Sequence, residues 1–200
     1  MKRLSWFRYP LLCALLGTVL GACAPASIDG NVDEYEYGKV RTAFFDTYED
    51  SYGSFLSIVL YDHEFTCEEL QAAFDAGDSP SAGDGETLIG AMSFTIAQYM
   101  GDGIFSVDNL EGDYKVFDIY DTSDYFDLSN GDRVAYVYSA FYIDPEEAEI
   151  FDTAEVGTVT ITKADLEKRV AGEFDITLSD TGGELSGDFK VEPCSFYTTD

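Results

Sequence analysis

The sequence predicts an all-β domain, an antiparallel β-sandwich or barrel of about nine strands with one short α-helix. Three observations lead to this fold class. Apolar and polar residues alternate with period two in many short segments, as in strands with one buried face. Turn signals rich in glycine, asparagine and aspartate separate these segments at short intervals. Aromatic residues make up 15% and apolar residues 46% of the chain, which is enough to fill a core despite the high charge.

The strand pattern is clearest near the end of the chain. Val170, Phe174 and Ile176 fall on one face of a strand, and Glu173 and Asp175 fall on the other. Residues 184–192 repeat the alternation, and the Asp-Thr-Gly-Gly sequence at 180–183 predicts a tight turn between the two strands. The full set of predicted strands is 39–45, 54–61, 87–99, 104–107, 114–120, 133–143, 156–163, 169–179 and 184–192.

The predicted helix follows a capping box. Thr66 stands at the N-cap position and Glu69 three residues later, so each can bond the backbone amide of the other. Leu70 and Phe74 share one face of the helix, and Gly77 is placed to end it.

The first 22 residues have the organisation of a secretory signal peptide. Lys2, Arg3 and Arg8 precede an uncharged apolar run at 11–20, which is too short to span a bilayer comfortably. Leu20-Gly21-Ala22-Cys23 follows and resembles the lipobox of bacterial lipoproteins. The resemblance implies cleavage before Cys23 and a lipid on its thiol, which would anchor the chain in the bacterial cell envelope. If the resemblance extends to Gram-negative lipoproteins, Ala24 after the cysteine, in place of aspartate, implies sorting to the outer membrane. The alternative is an ordinary signal peptide, with Cys23 as a structural thiol.

Charge restricts the partners of the mature chain. Residues 23–38 are polar and acidic and are predicted to form a tether, which places the β-rich domain at 39–200. Removal of 1–22 leaves 8 basic and 39 acidic residues, a net charge of −31. Such a surface repels phosphate backbones and anionic headgroups, so we expect no nucleic-acid partner and membrane contact only through the lipid on Cys23.

A second resemblance covers about the last fifty residues. The segments GTVTIT at 157–162, AGEFDITL at 171–178 and LSGDF at 185–189 precede Cys194. They resemble the C-terminal hairpins of uncharacterised secreted bacterial lipoproteins, in which a Gly-x-Phe strand pair follows a Gly-Thr-Val-Thr-Ile strand. The resemblance implies a β-rich domain and no particular activity.

The four cysteines have separate fates. Cys13 leaves with the signal peptide and Cys23 takes the lipid, so Cys67 and Cys194 remain in an oxidising compartment. We predict that they form a disulfide; the alternative is two buried free thiols.

Catalytic signals are weak. His63 is the only histidine, and its neighbours predict a solvated loop between a strand and the helix. Paired carboxylates carry no information in a chain with 39 acidic residues. We therefore expect a protein that is not an enzyme and needs no cofactor.

Two sets of residues are candidates for binding. Asp121, Asp124, Asp127 and Asp132 could supply oxygen ligands to calcium, although their spacing does not match an EF-hand and a solvated acidic turn explains them equally. Tyr136, Tyr138 and Tyr142 alternate on one face of a predicted strand. They could form a platform for a sugar or peptide, or pair with aromatic residues across the sheet.

The sequence thus favours a lipid-anchored envelope or surface lipoprotein, a non-catalytic structural or partner-binding module whose partner is an envelope protein or a glycan. The alternative is a small-ligand or calcium-dependent carbohydrate-binding protein. A deep apolar cavity would indicate a carrier, and a flat tyrosine patch beside carboxylates would indicate a sugar-binding protein.

Overall fold

The computed structural model describes residues 25–84, 86–118, 128–144 and 147–196, which form eleven strands and one helix. All nine predicted strands are present, with shifted ends. In chain order the elements are β1 (Ala26–Val32), β2 (Tyr35–Glu36), β3 (Thr42–Asp50), β4 (Gly53–Tyr61), α1 (Cys67–Ala76), β5 (Ile89–Gly101), β6 (Ile104–Ser106), β7 (Gly112–Val116), β8 (Arg133–Asp144), β9 (Glu147–Asp165), β10 (Arg169–Leu178) and β11 (Glu184–Pro193).

The strands form one sheet that closes on itself. Pairing runs from β3 through β4, β5, β8, β9 and β10 to β11, and β11 pairs in turn with β3. The closing contact is short and parallel, with Glu192 opposite Phe44 and Pro193 opposite Phe45. Of the two arrangements that the sequence allowed, sandwich and barrel, the closed ring is therefore a barrel. It is mixed, not wholly antiparallel, because β4–β6 and β7–β8 are parallel as well.

The inside of the ring is packed with apolar side chains. Alternate residues of each strand point inward, and Phe45, Phe94, Phe141, Phe174 and Phe189 are among the members that are nearly or fully buried. The ring of Phe94 lies 5.2 Å from that of Phe174 and 5.7 Å from that of Phe189, centre to centre. Side chains thus occupy the position that a ligand would take in a hollow carrier.

Helix α1 begins where the capping box predicts, and it covers part of the outer face of the sheet. Thr66 Oγ1 accepts from the amide of Glu69, and Glu69 Oε2 accepts from the amide of Thr66. Gly77 ends the helix in the left-handed conformation, with φ of 78°. The predicted disulfide is present: Cys67 in the first turn is bonded to Cys194, with 5.7 Å between the Cα atoms. Leu70 on this helix is fully buried.

The prediction of a tether was wrong for residues 26–36. β1 pairs with β11 from Ala26 opposite Phe189 to Gly30 opposite Leu185, and β2 pairs back on β1. Ala26 and Val32 are 2% and 0% exposed. The physical reason is that β11 offers a second edge of unpaired backbone groups, which β1 satisfies.

Candidate functional site

An open groove with a volume of about 840 Å³ lies against the outer face of the sheet. It extends over β3, β4, β5, β8 and β9 and is flanked by the β5–β6 hairpin. Nine of its lining residues are aromatic: Tyr48, Tyr52, Phe55, Tyr99, Phe105, Phe117, Tyr136, Tyr138 and Phe151. Seven lie on these elements, Tyr52 lies in the β3–β4 turn, and Phe117 follows β7.

Strand alternation explains why these rings face outward. On β4, Leu56 and Ile58 belong to the packed interior. Phe55, which directly precedes Leu56, therefore points to the opposite face of the sheet. On β8, Ala135 and Val137 belong to the interior, which places Tyr136 on the outer face. The outer cluster that includes Phe55 is not covered by α1, whose contacts lie in a separate cluster with Leu70 and Phe196.

The rings form a buried floor and an exposed rim. Phe55 and Phe105 of the floor are 6% and 7% exposed, with ring centres 5.4 Å apart. At the rim, Tyr52, Tyr138 and Phe151 are 62%, 37% and 48% exposed. Tyr138 and Phe151 stack on each other at 5.6 Å, with an interplanar angle of 30°. A ligand in the groove would therefore meet aromatic side chains below it and beside it.

Charged groups in the groove are few. Asp50 is the only carboxylate among the described lining residues, and Lys, Arg and His do not occur among them. Its Oδ1 accepts from the amide of Tyr52 at 2.7 Å, which shapes the tip of the β3–β4 hairpin. The hydroxyl of Tyr99 accepts from the amide of Gly103 at 3.1 Å and so braces the β5–β6 hairpin.

Tyr48 lies on β3, two residues before Asp50, and contacts the floor of the groove. Its ring stacks on Phe55 at 5.3 Å, with an interplanar angle of 19°. Burial raises the pKa of Tyr48 above its ordinary value; a hydrogen bond with Thr95 opposes this, and the charge of Asp50 adds to it. The hydroxyl of Tyr48 is therefore neutral at physiological pH.

The structure separates the three tyrosines that the sequence groups together. Tyr136 and Tyr138 line the groove, whereas Tyr142 is 4% exposed and lies in the cluster beneath α1. The hydroxyl of Tyr142 donates to the carbonyl of Pro80 at 3.0 Å, and burial raises its pKa. The alternative interpretation, aromatic pairing across the sheet, also applies at the rim, since Tyr138 stacks on Phe151 of β9.

The calcium candidates receive no support. Asp132 accepts from the amide of Ser129 at 2.7 Å and so stabilises the turn before β8. Asp121, Asp124 and Asp127 lie outside the described residues. Across the part of the chain that the structure describes, no three His, Cys, Asp or Glu residues come together as a metal site. His63 packs against Phe65, with ring centres 4.9 Å apart.

Comparisons with known proteins give no match for the chain. No protein-family model matches the chain, and neither curated proteins nor solved structures give a significant match. No helix in the described ranges is long and apolar enough to cross a membrane. The chemistry of the groove therefore has to be argued from its own residues.

Proposed function

We propose that the mature chain is a non-catalytic binding protein, held at a membrane of the bacterial envelope by a lipid on Cys23, and that its aromatic groove binds a small ligand. The observation that carries the proposal is the concentration of exposed rings at one place. Tyr52, Tyr138 and Phe151 all border the groove. Exposed apolar surface gathered in a concave site is typical of ligand-binding clefts.

The groove has the dimensions and lining of a small-molecule site. Its volume of about 840 Å³ lies within the range of roughly 300–1,000 Å³ found for ligand pockets. The lining offers aromatic rings, the hydroxyls of five tyrosines and two threonines, and one carboxylate. Such a set suits recognition of a molecule with an apolar body and a few polar atoms.

A dye-binding experiment tests the groove. Nile red, an uncharged dye that fluoresces in apolar surroundings, is titrated into the mature chain and the Tyr138→Ala/Phe151→Ala variant. We expect the variant to bind at least about fivefold more weakly, because it loses the stacked pair at the rim. Val156→Ala is the control, since Val156 is 54% exposed and outside the groove. Equal binding by all three proteins would refute the groove as the binding site.

The anchor is supported by the lipobox resemblance and is tested separately. β1 begins at Ala26, three residues after Cys23, so a lipid on Cys23 would hold the domain close to the bilayer. We expect an alkyne analogue of palmitate fed to expressing bacteria to label the wild type, which should fractionate with membranes. Cys23→Ser should abolish both results, and Cys67→Ser should retain the label. A labelled Cys23→Ser protein would contradict the proposed attachment.

A further inference from the structure

We infer that the groove selects an organic cation, such as a quaternary ammonium compound, over a neutral ligand of the same shape. The inference rests on the proposed function and adds the charge of the ligand to it. It depends on three properties of the site: the aromatic rings of its lining, the sign of its one carboxylate and the charge of the surrounding protein.

The rings supply the first part of the recognition. The face of an aromatic ring carries negative electrostatic potential, so a cation within about 6 Å of a ring centre is attracted to it. The groove brings rings from six strands, the β3–β4 turn and the residue after β7 into a single concave surface. Lys115 lies over the ring of Phe117, with its Nζ 4.6 Å from the ring centre, which is within the distance at which a cation and a ring face attract each other.

Asp50 supplies the second part. It is the only formal charge among the described lining residues, and it is negative. Its carboxylate keeps Oδ2 available, because the hydrogen bond from Tyr52 is made to Oδ1. A cation in the groove would gain a favourable Coulomb interaction with this carboxylate, whereas a neutral molecule would not.

The net charge of the rest of the chain acts in the same direction, although Lys115 places one positive charge beside Phe117. The net charge of −31 after residue 22 draws cations toward every cleft and repels anions, and low-dielectric walls concentrate that field. Ring faces alone would also suit the apolar face of a sugar. Charge is therefore the property that distinguishes the two kinds of ligand, and the experiment isolates it.

The experiment compares choline with 3,3-dimethylbutan-1-ol, in which carbon replaces the quaternary nitrogen. Both are titrated into the purified mature chain and followed by NMR saturation transfer. We expect the dissociation constant of choline to be about 10-fold lower, as desolvated cation–ring contacts imply. Asp50→Asn should weaken choline binding severalfold and leave the alcohol unchanged, because the amide can still accept from Tyr52. Asp175→Asn, an exposed position on β10 outside the groove, should change neither.

Each result has a definite consequence. Choline binding that is tighter than that of the alcohol and is weakened both by Asp50→Asn and in the Tyr138→Ala/Phe151→Ala variant supports the inference. Equal affinities, or a tighter alcohol, overturn the selection for a cation and leave the groove as a neutral site. If neither probe binds while Nile red still depends on Tyr138 and Phe151, the inference fails and the proposed function stands. If the dye is also insensitive to those residues, both fail.

Discussion

The ring of Phe174 packs over Gly187, its direct partner across the β10–β11 pair. A Cβ atom on Gly187 would lie 2.9 Å from Cζ of Phe174, closer than carbon atoms approach in proteins. The relationship is reciprocal, because Phe189 stands opposite Gly172 and a Cβ there would lie 2.6 Å from its Cζ. The Gly-x-Phe repeat thus has a packing explanation: each glycine makes room for the ring on the neighbouring strand.

We expect Gly187→Ala to lower the free energy of unfolding by roughly 1–3 kcal/mol, as overpacking of a tight site does. The added methyl group would meet Phe174 on one strand and the backbone carbonyl of Ser27 on another. Both β1 and the ring would have to shift. Urea unfolding followed by circular dichroism measures the effect.

Ser186→Ala is the matched control for this substitution. Ser186 is the preceding residue on β11 and is exposed, so its replacement should change stability by no more than about 0.5 kcal/mol. If Gly187→Ala is as stable as Ser186→Ala, the ring-over-glycine packing does not limit this position.

Two fully buried serines are expected to respond in opposite ways. The hydroxyl of Ser57 has no hydrogen-bond partner among the described residues, whereas the hydroxyl of Ser139 lies 2.6 Å from that of Tyr37. Ser57→Ala removes an unsatisfied buried polar group and should stabilise the fold by about 1 kcal/mol. Ser139→Ala breaks a satisfied contact and should destabilise it by about 1–2 kcal/mol.

The two variants are controls for each other, since both make the same chemical change at 0% exposure. Chemical denaturation in parallel gives the difference directly. A loss of stability in Ser57→Ala comparable to that in Ser139→Ala would show that the Ser57 hydroxyl is satisfied after all.

The sequence is a good guide to strands with strong local alternation and a poor one to pairings between distant segments. β10 and β11 lie where the pattern places them. β1 was missed although Ala26, Ile28 and Val32 alternate, because glycine and aspartate weaken the signal. Its stability comes from β11, more than 150 residues away, which no local pattern reveals.

The groove was predictable only in part for the same reason. The tyrosines of β8 are visible in the sequence, but the rings of β3 and β9 come alongside them through the order in which β3, β4, β5, β8 and β9 pair. Tyr142 shares the outward face with Tyr138 by alternation. Its position further along the strand places it beneath α1, so periodicity could assign its face but not its environment.

The disulfide is expected to contribute about 2–5 kcal/mol to stability. It joins residues 127 positions apart, so in the oxidised chain it restricts a large part of the unfolded ensemble. It also fastens α1 to the segment after β11, where Phe196 stacks on Phe74 with ring centres 5.0 Å apart. The Cys67→Ser/Cys194→Ser variant should therefore unfold at a lower urea concentration than the wild type.

Addition of dithiothreitol provides the internal check. It should lower the unfolding midpoint of the wild type to that of the double variant and leave the variant unaffected. Cys23→Ser should keep the wild-type midpoint, since Cys23 is not part of the bond. A wild type whose midpoint does not respond to complete reduction would show that the bond adds no stability.

Asp84, in the loop after α1, is expected to titrate well below an ordinary aspartate. The hydroxyl of Thr87 donates to its Oδ2 at 2.5 Å, and the amides of Glu86 and Thr87 donate to Oδ1 at 3.0 and 2.9 Å. These bonds lower the pKa of Asp84 from 3.8 to about 2, with the Thr87 hydroxyl as the largest cause. Carbon-13 NMR of the carboxyl group should show this value, and Thr87→Val should raise it toward 3.8.

The same bonds give a defined pH dependence of stability. Because the folded-state pKa is depressed, their stabilisation is fully present above pH 3.8 and is lost as the pH falls through about 2. The difference in unfolding free energy between wild type and Thr87→Val should therefore be constant from pH 7 to pH 5 and shrink below pH 3.8. The other carboxyl groups are common to both proteins and cancel in this difference. A difference that stays constant down to pH 2 would mean that Thr87 acts through packing and not through the charge of Asp84.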